Sequence, residues 1–209
     1  MEIIYQDDWL VLVNKPSMLL SVPGRGEDKR DSVVYRLQQH FAWVREVHRL
    51  DWETSGLLLL ALHPDSHRQL SAQFAQREVD KRYQALVYGR LEQPQGEITL
   101  PLRCDWPNRP RQMVDLAHGK PAHTRWQCLD QYANYSRVAL YPLTGRSHQL
   151  RVHMLSIGHP ILGDRLYGDQ TVQAMAPRLM LHAEYLAFTH PGDGQRREFF
   201  CPAMFTVPF

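Results

Sequence analysis

The period of apolar and polar residues changes several times along the chain, and each change marks an element. From Glu2 to Asn14, Ile3, Ile4, Tyr5 and Leu10 to Val13 are mixed with polar residues, which predicts one or two strands ending at Lys15-Pro16. Pro23-Gly24-Arg25-Gly26 and the polar stretch to Asp31 read as a mobile loop, and Val33 to Phe41 has helical spacing. Leu57 to Ala61 is apolar without alternation, as expected of a central strand buried on both faces. Pro64-Asp65-Ser66 opens a helix whose Leu70 and Phe74, four apart, share its inner face. Alternation returns in Arg82 to Tyr88, His123 to Leu129 and Arg137 to Tyr141, with Tyr132-Ala133-Asn134 as a hairpin turn. Ser147 to Ile157 predicts a short helix with Ser147 as N-cap, Leu150 and Met154 as apolar stripe, and Gly158 and Pro160 as stop; Leu179 to Phe188 is a late strand. The set predicts an α/β protein of the α+β kind, with a mixed, mostly antiparallel central sheet and flanking helices and loops. Strands and helices do not alternate regularly, which argues against a doubly wound parallel fold.

Size narrows the organisation without changing this picture. A chain of 209 residues suits one domain, or two small lobes sharing a core, and no internal repeat or low-complexity linker divides it. The 24 Lys and Arg against 22 Asp and Glu give a net charge of +2, compatible with nucleic acid but too weak to argue for it alone. The N-terminus lacks the pattern of a signal peptide, and the longest apolar run, Leu57 to Leu62, is too short to cross a bilayer. Cys104, Cys128 and Cys201 are widely spaced with no Cys-x-x-Cys, so neither a disulfide framework nor a zinc knuckle is indicated. A reduced, cytoplasmic setting and no membrane association are expected.

The chemistry gathers at three places. His48-Arg49-Leu50-Asp51, followed by Thr54-Ser55-Gly56, sets one carboxylate at the mouth of the apolar run, where a charge is costly unless cations or donors hold it. Two readings fit: a structural Asp51 paired with Arg49 or capping a turn through Thr54 and Ser55, and a nucleophile or base held ionised by a nearby cation. Thr144 to His153 carries Arg146, His148, Arg151 and His153 where a Gly-containing turn enters a helix, which suits anion binding and equally a solvated basic face. Arg103, Arg109, Arg111, Lys120 and Arg125 face only Asp105 and Asp115, with Trp106 and Trp126 interleaved. That mixture fits phosphate contact with base stacking, or an exposed insertion that its two Trp anchor to the core. His63 and His67 have metal-pair spacing, but no third ligand stands at a familiar distance, so no metal is expected. Tyr83, on pattern alone, is a core aromatic. No serine-nucleophile elbow, phosphate-binding Gly loop or dinucleotide fingerprint occurs.

Taken in order, Asn14-Lys15-Pro16, His48 to Gly56, Lys81-Arg82-Tyr83, Thr144 to His153, His159-Pro160-Ile161-Leu162-Gly163-Asp164 and Leu181-His182-Ala183 resemble the RluA-type pseudouridine synthases over nearly the whole chain. Ser147 stands where many members have Thr. The resemblance implies the pseudouridine synthase fold in a single catalytic domain over 1–209, without the N-terminal S4 domain of some relatives. It implies isomerisation of uridine to pseudouridine in RNA with neither cofactor nor metal. Asp51 would act on the ribose as nucleophile or base, Tyr83 would pack on the uracil and assist at C5, and Arg151 would pair with Asp51. The target base must leave its stack, and Arg49 is the candidate to fill its place. His48, beside it, would support the loop at the RNA face. Arg109, Arg111, Lys120 and Arg146 are the further candidate RNA contacts. The short form of the family is associated with a uridine in 23S rRNA and one in the anticodon stem-loop of certain tRNAs, so the implied partners are rRNA and tRNA stem-loops, with the monomer as default state. Two rivals are kept: a non-catalytic RNA-binding or ribosome-assembly factor, and a glycosidase that releases the base.

Overall fold

A computed structural model describes residues 1–205. In chain order the elements are β1 (Glu2–Gln6), β2 (Leu10–Lys15), α1 (Val33–Leu37), β3 (Arg45–Glu46), β4 (Ser55–Ala61), α2 (Pro64–Gln76), β5 (Asp80–Tyr88), β6 (Gln95–Ile98), β7 (Leu102–Cys104), β8 (Gln112–Val114), β9 (Thr124–Gln131), β10 (Tyr135–Pro142), α3 (Gln149–Ser156), α4 (Gln170–Ala174), β11 (Leu181–Thr189) and β12 (Arg196–Phe200). They form two compact units, Met1–Lys81 with Ala183–Ala203, and Arg82–His182 with Met204 and Phe205. No helix among the described residues is long and apolar enough to cross a membrane.

The first unit is a largely antiparallel sheet in the order β1-β2-β4-β11, with β12 on β11 and β3 on β4. The unbroken apolar run forms β4, and all seven of its residues are buried. Its register sets Leu59 opposite Leu12 and Ala61 opposite Leu10, so these side chains and Leu57 share one face, packed with Leu70, Val79 and Phe74. Leu58, Leu60, Val11 and Val13 point to the other face and are equally buried. Each such side chain contributes about 1.5–3 kcal/mol on burial, which makes β4 an anchor for the loop that enters it. Helix α1 is shorter than its spacing predicts. Ser32 caps it by accepting the Tyr35 N–H at 3.1 Å, and Gln38-Gln39-His40 offers no apolar residue to hold a further turn. Within the stretch predicted as loop, Glu27–Lys29 makes one 3₁₀ turn.

The two histidines with metal-pair spacing serve α2. His63 caps it, Nδ1 accepting the Ser66 N–H at 3.4 Å, and His67 Nε2 lies 3.1 Å from the Glu46 carbonyl. Among the described residues no group of three or more His, Cys, Asp or Glu is placed to hold a metal ion.

The second unit is an antiparallel sheet in the order β5-β10-β9-β6, and β9 and β10 form the predicted hairpin. Helix α3 buries Leu150 and Met154 with Ala85, Val87, Val138 and Leu140. A separate hairpin, β7–β8, pairs Leu102 with Val114 and Cys104 with Gln112. It joins a small second core made by Leu102, Ala122, Val152 and Tyr167. Ser147 is not the N-cap of α3. His148 holds that position at φ 53, and the helix begins at Gln149 without a side-chain cap.

The start of α3 is fixed by Gln149, which uses its full hydrogen-bonding capacity. Its Oε1 accepts from Thr144 Oγ1 at 2.7 Å and from the Arg146 N–H at 3.0 Å; its Nε2 donates to the His123 carbonyl and Thr124 Oγ1, both at 3.0 Å. His153 continues the network. The Leu100 carbonyl, 2.9 Å from Nε2, can only accept, so Nε2 carries the proton and Nδ1 accepts from Thr124 Oγ1. Burial lowers the pKa of this imidazole. Much of the Thr144 to His153 motif therefore bolts α3 onto β9, leaving Arg146 and Ser147 exposed.

Candidate active site

In the first unit Asp51 is half-buried in the loop that enters β4. Every backbone carbonyl from Leu50 to Glu53 has a donor. Ser21 Oγ donates to Leu50 at 2.8 Å and accepts its N–H at 3.0 Å, and the Thr54 N–H donates to Asp51 at 3.1 Å. Lys15, fully buried, donates to Trp52 at 3.2 Å as well as to Pro16 and Leu19; Ser17 Oγ donates to Glu53 at 2.7 Å. Hydrogen bonds from a charged donor each contribute about 1.5–3 kcal/mol, so the loop is held before any ligand arrives. Asn14-Lys15-Pro16 thus acts on the loop from beneath, a role its sequence did not declare.

Arg49, the neighbouring cation, is exposed. The turn is closed by backbone, while the buried Thr54 hydroxyl has no hydrogen-bond partner among the described residues.

His48 packs against α2 and β4. It stacks on Phe74 at 4.7 Å between ring centroids, and its Nε2 accepts the Leu59 N–H at 3.1 Å. Burial, with a smaller contribution from the Lys81 ammonium, pushes its pKa down to about 3. The sign follows directly. Below the ordinary value of 6.5 the unfolded chain takes up a proton that the folded chain refuses until about 3, so stability contributed by His48 above pH 6.5 is lost as pH falls through that window. In urea titrations at pH 7 and pH 5, His48→Gln is expected to lose less stability than wild type between the two values; equal losses would contradict the assignment.

In the second unit Arg151 stands in the first turn of α3, and its guanidinium grips Asp164 with two bonds: Nε to Oδ2 at 2.7 Å and Nη2 to Oδ1 at 2.6 Å. Both side chains are 2% exposed or less. Asp164 Oδ1 also accepts the N–H groups of Leu166 and Tyr167, at 3.0 and 3.1 Å. The sequence motif ending in Asp164 does not by itself give the residue a role; the signal lies in an arginine in one motif and a lone acid in another. Tyr83 lies on β5 opposite Leu140, half-buried against the core of this unit.

The basic insertion divides on inspection. Trp126 is 8% exposed and belongs to the core, whereas Trp106 is 62% exposed. The Arg109 guanidinium stacks on the Trp106 ring, 3.2 Å from its centroid. Arg103 pairs with Asp115 and Arg125 with Glu97, while Arg109, Arg111, Lys120 and Arg146 are exposed. Arg146 Nε donates to the Pro121 carbonyl at 3.1 Å. Trp126 thus anchors the insertion to the core, while Trp106 leaves an exposed ring beside a cation.

Comparison with known proteins bears on the family and the fold. Over 204 residues the chain is 53% identical to the dual-specificity RNA pseudouridine synthase RluA of Escherichia coli K12, covering 97% of this chain and 93% of that protein. It is 50% identical over 206 residues to the protein of the same name from Pasteurella multocida, covering 98% and 94%. Among solved structures, human RNA pseudouridylate synthase domain containing 1 matches with a TM-score of 0.80 at 31% identity, over 96% of this chain and 82% of that one. Residues 9–156 match the model of the RNA pseudouridylate synthase family, and the chain belongs to that family.

Proposed function

We propose that this protein converts selected uridines to pseudouridine in both 23S rRNA and the anticodon stem-loop of tRNA, acting in the cytoplasm as a monomer. Relatives that share half its residues over nearly its full length are named dual-specificity RNA pseudouridine synthases, which supports two targets; the two RNA classes are those that the family resemblance implies. In the reaction the N1–C1′ bond breaks, the freed uracil turns, and C5 bonds to C1′; the proton at C5 leaves and N1 gains one. Asp51 acts on the ribose as nucleophile or base, Tyr83 packs on the uracil and assists proton loss at C5, and Arg151 supplies the cation that keeps the carboxylate ionised. These side chains perform the chemistry with neither metal nor cofactor. Arg49, exposed beside Asp51, fills the space left by the flipped base. His48 supports the loop from within.

The observation that carries this reading is the loop itself: an acid on a backbone whose four carbonyls are all tied down is preorganised for a reaction, beyond what a surface ion pair requires. Site-by-site mapping of pseudouridine in rRNA and tRNA from cells with and without the gene tests the target assignment. Loss of one modified site in each RNA is expected; loss in only one class would remove the dual claim.

RNA affinity comes in part from the exposed cations of the β7–β8 hairpin, Arg109 and Arg111, together with Lys120 and Arg146, and Trp106 offers the accessible ring on which a base can stack. Replacing Arg109 and Arg111 by Ala is expected to weaken RNA binding and to flatten the slope of log affinity against log salt by about 1–2. Filter binding over a salt series reads both; an unchanged slope would take the hairpin out of the interface.

A further inference from the structure

Tyr167 touches three parts of the second unit at once. Its hydroxyl oxygen accepts the Gln112 N–H of strand β8 at 2.7 Å and lies 2.7 Å from His148 Nδ1 at the start of α3. Its backbone N–H donates to Asp164 Oδ1, the oxygen that also holds Arg151 Nη2. Its ring, 7% exposed, lies under two guanidinium groups, that of Arg151 at 5.1 Å and that of Arg111 at 5.4 Å. Arg111 belongs to the exposed hairpin and Arg151 is buried, so one aromatic ring contacts a surface cation and a buried one. His148 sits at φ 53, a backbone conformation that a non-glycine residue keeps only where its surroundings hold it. Its ring meets Tyr167 edge-on at 5.6 Å.

We infer that Tyr167 is a positioning residue that couples engagement of RNA by the β7–β8 hairpin to the placement of Arg151. The coupling runs through contiguous contacts: RNA phosphate drawn to Arg111 loads the ring and the Gln112 N–H, and the same tyrosine fixes the Asp164 oxygen and the α3 start that orient Arg151. The inference rests on the reading of Arg151 as part of the catalytic machinery.

The test is single-turnover pseudouridine formation at saturating RNA, beside the RNA dissociation constant, in the full-length protein. Tyr167→Phe keeps the ring and removes the hydroxyl. It should lower the saturating rate about tenfold with affinity within about twofold of wild type. A residue serving stability alone would shift the melting temperature without this split. Arg111→Ala should weaken affinity and also lower the saturating rate, and adding it to Tyr167→Phe should lower that rate no further. A Tyr167→Phe rate equal to wild type, or two losses that multiply, overturns the coupling. Should Tyr167→Phe not fold, Arg111→Ala decides alone: a saturating rate equal to wild type overturns it. Arg151→Ala separates the two claims. If it retains the full rate, the catalytic reading of Arg151 fails; if it loses the rate while the Tyr167 and Arg111 variants keep theirs, only the coupling fails.

Discussion

Asp51→Asn is expected to lower pseudouridine formation by at least about a thousandfold while leaving RNA affinity within about twofold of wild type. The substitution exchanges one oxygen for an NH₂ group of nearly equal size. It removes the negative charge and one acceptor, and with them both roles open to the carboxylate: attack at C1′ and removal of a ribose proton. The loop backbone is held by other groups. Its carbonyls are held by Ser21, Lys15, Ser17 and the Thr54 N–H, and its exit strand is pinned by leucines on both faces. The melting temperature should accordingly change little. A non-catalytic RNA-binding protein predicts that all function survives the exchange, so the activity of one purified variant separates the two classes.

Gly56→Ala should be the most damaging single-methyl change in the motif. Gly56 has φ +114, and an added Cβ would lie 2.3 Å from the Ala183 carbonyl oxygen and 2.5 Å from its nitrogen. Both obstacles are backbone of a neighbouring strand segment, with no flexible side-chain end to give way. Strain and forced separation together should cost about 3–5 kcal/mol, a fall of roughly 10 °C in melting temperature for a chain of this size. Gly145→Ala is the internal control: its φ is not in the left-handed region and a Cβ there meets nothing within 4 Å. Scanning calorimetry on the pair should show a large shift for Gly56 and under about 0.5 kcal/mol for Gly145. Comparable shifts would mean that the close approach is not what requires glycine. The contact also gives a physical reason why Thr54-Ser55-Gly56 and Leu181-His182-Ala183 occur in one sequence.

Elements with a strong period are legible in the sequence. The apolar run of β4, the alternation of β9 and β10 around Tyr132-Ala133-Asn134, and the Leu70 and Phe74 pair of α2 each carry enough buried side chains to declare themselves. Strands β7 and β8, three residues each, are shorter than one full cycle of convincing alternation, and β6 and β12 are rich in polar residues on open faces. Those were missed for want of hydrophobic signal. The N-cap of α3 is not legible, because Ser147 has the residue type and place of a cap, whereas the actual cap is a left-handed histidine held by a tyrosine nineteen residues on. Site residues follow the same division. Asp51 stood out because a carboxylate beside an apolar run demands an explanation. Lys15 and Asp164 did not, since their importance lies in partners distant in sequence: the Trp52 carbonyl for one, the Arg151 guanidinium for the other.

The central claim is that a single carboxylate, Asp51, drives isomerisation of uridine within an intact RNA chain. It is tested most directly by incubating the purified protein with RNA carrying tritium at C5 of uridine, and counting tritium in the solvent, free uracil and chain length together. The account predicts tritium release matched one for one by pseudouridine, with the chain unbroken, no free uracil, and no release by Asp51→Asn. Free uracil from the wild-type protein, or tritium release undiminished in the Asp51 variant, would contradict it.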